Sequence, residues 1–245
     1  VPMDEAMMDQ VNYTFADAVE KLKSFEFDMV QLHFRHGWLI HQFLSPLFNH
    51  REDEYGGPVE NRVRFPLRVL ERIRDRVGRS FPLDVCISGV EPIPGGLTHE
   101  DCIAICQAIQ GHVDMISVSC GGVHHPRTAE RMSPSCFLPR GVNVPLAESI
   151  RKHVSIPVAT VGALADPGAM DRIISGGQAD IVYMGRQLIA APDLPRKAMN
   201  GQTDRITHCI RCSACMHSIH RSPQQLMRCA VNPKAGFADV RAAWE

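Results

Sequence analysis

Five short apolar runs, each followed by a longer stretch of helical spacing, constrain the fold of this 245-residue chain more than any other feature. The runs are Asp28–His33, Leu83–Ser88, Asp114–Ser119, Ile156–Gly162 and Asp180–Gly185. Continuous apolar runs of this length read as strands buried on both faces. A helical pattern over roughly Thr14–Phe25 precedes the first. Between the first two, Val63, Leu67, Leu70, Ile73 and Val77 fall at three- and four-residue steps. "HEDCIAICQAIQG" and "DPGAMDRIISGG" behave likewise, with an acid early and glycine at the stop. Strand–helix alternation predicts a parallel sheet of the α/β class.

An open doubly wound sheet and a (β/α)8 barrel both satisfy that alternation. No GxGxxG follows any strand, which argues against the open sheet. Polar and glycine-rich groups recur just past the strand ends instead: "HFRHGW", "SCGGVHH", "VGALADP" and "MGRQL". A barrel builds its active site there. The expectation is a partial (β/α)8 TIM barrel holding about the last five strands, its beginning missing or supplied elsewhere. Residues 1–204 would form the barrel part and 205–245 a C-terminal iron–sulfur segment.

That last segment follows from the cysteines. The chain carries nine, with a net charge of −1 and a near-neutral balance of acids and bases. Neither nucleic acid nor an anionic membrane is called for. No apolar run approaches the roughly 20 residues of a membrane span. "VPMDEAMMDQ" lacks the features of a secretory signal, so the expectation is a soluble, cytoplasmic protein in a reducing setting. A disulfide framework does not belong there. Cys86, Cys102, Cys106, Cys120 and Cys136 read as buried small residues. The other four crowd together: Cys209, Cys212 and Cys215 within "THCIRCSACM", then Cys229. Three thiolates at that spacing can wrap one corner of a [4Fe–4S] cube, with a distant fourth closing it. Cys₄ zinc is the alternative, although zinc ribbons present two separated CxxC knuckles. Free thiols are the other.

Two further groups are shaped for ligands. His33 and His36 leave the first strand three residues apart, where two imidazoles can donate to a carbonyl or carboxylate oxygen and stabilise charge developing on it. The competing reading is a histidine pair satisfied by neighbouring backbone. In "TVGALADP" and "MGRQLIAAP", Gly162 and Gly185 would let backbone N–H groups approach a phosphate, and Arg186 would add a charge-assisted contact.

Three stretches together resemble the old yellow enzyme family. They are "HFRHGWLIHQFLSPLFNHREDEYGGPVENRVRF", "DPGAMDRIISGGQADIVYMGR" and the terminal cysteines. The resemblance is to its iron–sulfur branch, which includes NADH:flavin oxidoreductases, 2,4-dienoyl-CoA reductase, 2-enoate reductases and trimethylamine dehydrogenase. It implies an FMN barrel in which His33 and His36 hold the substrate's activating oxygen over the flavin. Gly162, Gly185 and Arg186 match the FMN phosphate site, and the four cysteines match the cluster ligands. His124 matches an active-site histidine of the dienoyl-CoA reductases, with Arg127 close behind as a substrate-binding residue. FAD and NAD(P)H would act through a flavin- and nucleotide-binding domain or subunit not in this chain. A homo-oligomer is expected.

Two positions depart from the family pattern. Trp38 stands where the family has a proton-donating tyrosine, and an indole N–H is too weak an acid for that role. Cys86 stands where a basic residue usually faces the flavin. The implied activity is reduction of an α,β-unsaturated acid, thioester or ketone. An amine dehydrogenase or N-demethylase of the trimethylamine dehydrogenase type remains open, as does a non-catalytic cluster-binding electron-transfer subunit.

Overall fold

A computed structural model describes residues 2–221 and 227–236. The chain opens with α1 (Glu5–Ser24), capped by Asp4, whose carboxylate accepts from the Met7 N–H at 2.8 Å. Met8, Asn12, Ala16 and Val19 form its buried stripe. The stripe reaches further back than the sequence expectation of Thr14–Phe25, because the polar Asn12 interrupts the apolar rhythm. Then follow β1 (Val30–Phe34), α2 (Leu39–Leu44), α3 (Val59–Arg62), α4 (Arg64–Val77) and β2 (Leu83–Ser88). After these come α5 (His99–Ile109), β3 (Met115–Ser119), α6 (Pro126–Met132), α7 (Val144–Arg151) and β4 (Val158–Val161). The last elements are α8 (Pro167–Ser175), β5 (Ile181–Tyr183), α9 (Arg186–Ala190), α10 (Leu194–Met199) and α11 (Ala214–Arg221).

The five strands pair in sequence order, β1-β2-β3-β4-β5, and every pairing is parallel. β2 has the bounds read from the sequence, β3, β4 and β5 lie inside theirs, and β1 starts later and runs one residue further, to Phe34. The last keeps only three paired residues, since Met184 and Gly185 have already turned away toward α9.

Side chains alternate across the strands. Leu32, Phe34, Val85, Ile87, Ile116 and Val118 join one core with Val69, Leu70 and Ile73 of α4 and Ile105 and Ile109 of α5. The opposite face carries a polar layer. Asp84 is fully buried, and its Oδ2 accepts from Gln31 Nε2 at 2.6 Å, Ser117 Oγ at 2.6 Å and the Tyr183 hydroxyl at 3.1 Å. In a flat sheet β2 and β5 would stand about 14 Å apart, three strand spacings, too far for a tyrosine to reach. The sheet is therefore curled, with Asp84 on the concave side. This arc is what a partial barrel requires, and it puts the C-terminal strand ends at one mouth.

Cys86, Cys102, Cys106 and Cys120 are buried as expected, whereas Cys136 is exposed. Cys136 lies in the open loop between α6 and α7, where no strand or helix covers it. No helix among the described residues is long and apolar enough to cross a membrane.

Candidate functional site

The mouth of the arc is built by the turns leaving β1, β2 and β3. His36 takes a left-handed conformation, φ 66°, and Gly37 follows at φ 88°. A non-glycine residue there marks a turn held by its surroundings. The His36 N–H donates to Ser88 Oγ at 3.2 Å, and the Val123 N–H donates back to the His36 carbonyl at 3.1 Å. The imidazole lies with Nε2 3.0 Å from Ser119 Oγ. The turns after β1 and β3 are thus clasped across the end of β2.

His33 and His36 come together with ring centroids 5.5 Å apart, edge to face. Burial pushes the His36 pKa down to about 2, with the nearby Arg35 charge acting in the same direction. His33, half-buried, is lowered by the same two causes. Both rings are therefore neutral in ordinary buffers and act as hydrogen-bonding groups. Cys86 lies beneath them. Its thiol donates to the Leu32 carbonyl at 3.2 Å and sits 3.4 Å from His33 Nδ1. Burial pushes that thiol up to about 11, so Cys86 stays protonated and brings no charge. Trp38 is 58% exposed, and its ring stands 6.5 Å from that of His33.

His124 reaches the same mouth from the loop after β3, its ring edge-on to Phe48 with centroids 4.6 Å apart. Its Nε2 lies 3.3 Å from Oε1 of Glu91, a fully buried carboxylate in the loop after β2. Arg127 does not join this group. Its side chain is exposed on the first turn of α6 and makes no hydrogen bond among the described residues. Sequence reasoning missed Glu91 and also His41, which packs behind Gly37. The signal available was position alone, Glu91 being three residues past a strand end.

The second half of the site lies past β4 and β5. A cavity of about 160 Å³ there is lined by Gly162, Ala163, Gly185, Arg186, Asn143, Arg140 and Arg211, among others. Gly162 has φ +154°, which L side chains rarely adopt, and a Cβ on it would press to 3.1 Å from Asn143 Nδ2. A Cβ on Gly185 would meet nothing and would only occupy the cavity. Helix ends add little here, since α9 has five residues and the Asp166 carboxylate already caps α8. The positive charge comes from side chains. Arg186 donates to the Pro134 carbonyl at 2.7 Å, and Arg140 donates to the carbonyls of Ala163 at 3.1 Å and Cys209 at 2.9 Å. Arg211 donates to the Leu138 carbonyl, and its buried Nε has no partner among the described residues. Burial, with Arg211 and Arg186 close by, lowers the pKa of Arg140. Three guanidiniums that bond only neutral oxygens, around a glycine-walled cavity, fit a phosphate. Of the three, sequence reasoning found only Arg186, because Arg140 and Arg211 arrive from loops with no strand to announce them.

Arg186 and Cys209 also border the next cavity, which Cys209, Cys212, Cys215 and Cys229 all line. All four cysteines are free. Arg211 and Ser213, between them in sequence, both take left-handed conformations at φ 59°. Two such non-glycine residues in one short loop turn the chain sharply enough to present successive thiols to one space. Among the described residues, no three His, Cys, Asp or Glu side chains converge closely enough for a single metal ion.

The sequence model described as the NADH:flavin oxidoreductase / NADH oxidase family matches residues 2–205. A curated NADH oxidase of Thermoanaerobacter brockii is 40% identical over 236 residues, which are 95% of this chain and 36% of that protein. The solved structure of 6-hydroxypseudooxynicotine amine oxidase from Pseudomonas geniculata N1 is 30% identical with a TM-score of 0.89, covering 98% of this chain and 35% of that one. A 2-naphthoyl-CoA reductase complex is 28% identical with a TM-score of 0.88, covering 96% of this chain and 36% of that one. The chain thus spans about a third of the length of these relatives. The match over residues 2–205 together with the mouth and phosphate-shaped cavity identifies this chain as a member of the NADH:flavin oxidoreductase / NADH oxidase family.

Proposed function

We propose that this chain is the greater part of the flavin barrel of an FMN- and [4Fe–4S]-dependent oxidoreductase. It would reduce the C=C bond of an α,β-unsaturated acid, thioester or ketone with electrons from NAD(P)H. The observation that carries the reading is the shared wall of the two cavities. Arg186 and Cys209 border both the three-arginine cavity and the four-cysteine cavity. That adjacency suits an electron carrier beside a flavin. A cubane core separates its ligands more widely than a single ion does, so it tolerates the spread of the four thiols.

Bound flavin would supply the hydride chemistry, its phosphate held by Arg140, Arg186 and Arg211 against Gly162 and Gly185. The residues of the chain do the rest. His36, kept neutral by burial, presents an N–H to the substrate oxygen without needing to be charged. His33 stands beside it for the same oxygen. Because Trp38 cannot release a proton, the α-carbon must receive one from another residue at the mouth or from water. FAD and NAD(P)H would be bound by a further domain or subunit, and the whole would assemble as an oligomer.

A second reading, oxidation of an amine with electrons leaving through the cluster, is favoured by the likeness to the amine oxidase. Product analysis with an enoate and with a methylamine separates the two. The cofactor reading is tested by metal and flavin content. Anaerobic protein is expected to hold about four irons per chain and to bind FMN, and Cys212→Ala to lose the visible absorption of the cluster. Arg186→Ala should weaken FMN by about 1.5–3 kcal/mol while riboflavin, which lacks the phosphate, is little affected. Stoichiometric zinc without iron, or equal weakening of both flavins, overturns it.

A further inference from the structure

We infer that Glu91 and His41 form a buried positioning pair that fixes the tautomer of His124 and the His36–Gly37–Trp38 turn. This rests on the reading of the barrel mouth as the reaction site, and its main test does not.

Glu91 is 2% exposed and its two oxygens face different ways. Oε2 accepts from the Leu97 N–H at 2.9 Å and from the Ser45 hydroxyl. Among the described residues neither Oε1 nor His41 Nε2 has a hydrogen-bond partner, and Oε1 faces two imidazoles, with His124 Nε2 at 3.3 Å and His41 Nε2 at 3.9 Å. The tautomer of His41 is dictated from behind. Its Nδ1 accepts the Gly37 N–H at 2.8 Å, so its proton must be on Nε2, aimed at the carboxylate. A fully buried carboxylate oxygen requires a donor, and among the described residues the Nε2–H groups of His124 and His41 are the ones that face it.

Two consequences follow. His41, facing the Glu91 carboxylate at 3.9 Å, holds the Gly37 peptide, which lies between the oxygen-binding His36 and the exposed Trp38. His124 carries its proton on Nε2 facing Glu91, which leaves its Nδ1 turned toward Gly37. One carboxylate thus ties together the turns after β1, β2 and β3. Gly37 is part of the device, because a Cβ there would sit 3.2 Å from His124 Nδ1.

Glu91→Gln makes the pair visible. An amide can offer its oxygen to Leu97 and Ser45 only by turning its NH₂ toward the imidazoles, where donor would face donor. His41 cannot change tautomer while it accepts from Gly37, so His124 must move its proton to Nδ1. Histidine-selective ¹⁵N NMR of the FMN-loaded holoenzyme reads this directly. Wild type is expected to show Nε2–H for both His41 and His124, and Glu91→Gln to show Nδ1–H for His124. Reoxidation of the reduced flavin by an enoate should slow about 10–10²-fold in Glu91→Gln, because the turn that carries His36 is displaced, with FMN affinity unchanged. A wild-type His124 protonated on Nδ1, or a His124 tautomer indifferent to Glu91→Gln, overturns the inference. The wild-type spectrum decides it even where the variant does not fold. Failure of any enoate to reoxidise the wild-type flavin refutes the reaction reading alone.

Discussion

His36 and Trp38 are two residues apart and should respond to mutation very differently. His36 is held by Ser88, Ser119 and Val123 and buried until it is neutral. Trp38 is more than half exposed and its indole has no acidic proton to give. Oxygen polarisation matters most as charge builds during hydride arrival. His36→Ala should therefore slow enoate-driven flavin reoxidation by about 10²–10³-fold, the scale of one lost oxyanion donor. Flavin reduction by a chemical donor should hardly change, because it does not use the substrate oxygen. Trp38→Phe should cost much less, and Trp38→Tyr should speed protonation by restoring a phenol. Anaerobic stopped-flow on both half-reactions checks all three. An untouched His36→Ala beside a dead Trp38→Phe would mean the site is wrongly assigned.

At the scale of elements, the loop from β3 to α6 makes a strict backbone demand. Gly121 sits at φ 69°, and a Cβ there would lie 2.1 Å from the Thr128 carbonyl oxygen. Thr128 in turn pins the loop by donating its hydroxyl to the Gly122 carbonyl at 2.8 Å. Gly121→Ala should cost about 1–2 kcal/mol for the left-handed backbone alone, and more for the displaced α6. Gly111, after α5, has open space around its Cβ position and no positive φ. Gly111→Ala should stay within about 0.5 kcal/mol of wild type. Urea midpoints of the two variants make the comparison, and equal midpoints would contradict this account of the loop.

For the whole molecule, the buried histidines predict acid sensitivity. His36 and His41 ionise near 6.5 when unfolded but, through burial, only near 2 and 4 when folded. Below pH 6.5 the unfolded chain binds protons that the folded chain refuses. Stability is therefore complete above that pH and falls as pH drops, down to about 4 for His41 and about 2 for His36. Each can contribute up to about 1.4 kcal/mol per pH unit within its window, and half-buried His33 adds in the same direction. Urea unfolding between pH 7.5 and 5, above the carboxylate range, should show the decline. The double variant His36→Gln/His41→Gln should flatten it, and an unchanged slope would refute the assignment.

Periodicity was enough to read five parallel strands and the helices α4, α5 and α8 between them, with part of α1 before them. Those features are written locally, in which face of each segment is apolar and where glycine stops it. Spacing was likewise enough to group Cys209, Cys212 and Cys215, which are neighbours in sequence, whereas the fold brings Cys229 to the same cavity. The rest required tertiary structure. Asp84 shows the curl of the sheet only because Tyr183, 99 residues away, reaches it. Arg140 and Arg211 come to line one cavity with Arg186 only when the loops before α7 and after α10 meet. Glu91 reads in sequence as one loop acid among many. It becomes the junction of three turns only when folding removes water and leaves its Oε1, among the described residues, facing two imidazoles. Burial and long-range pairing decide such roles, and neither is a property of any local stretch of sequence.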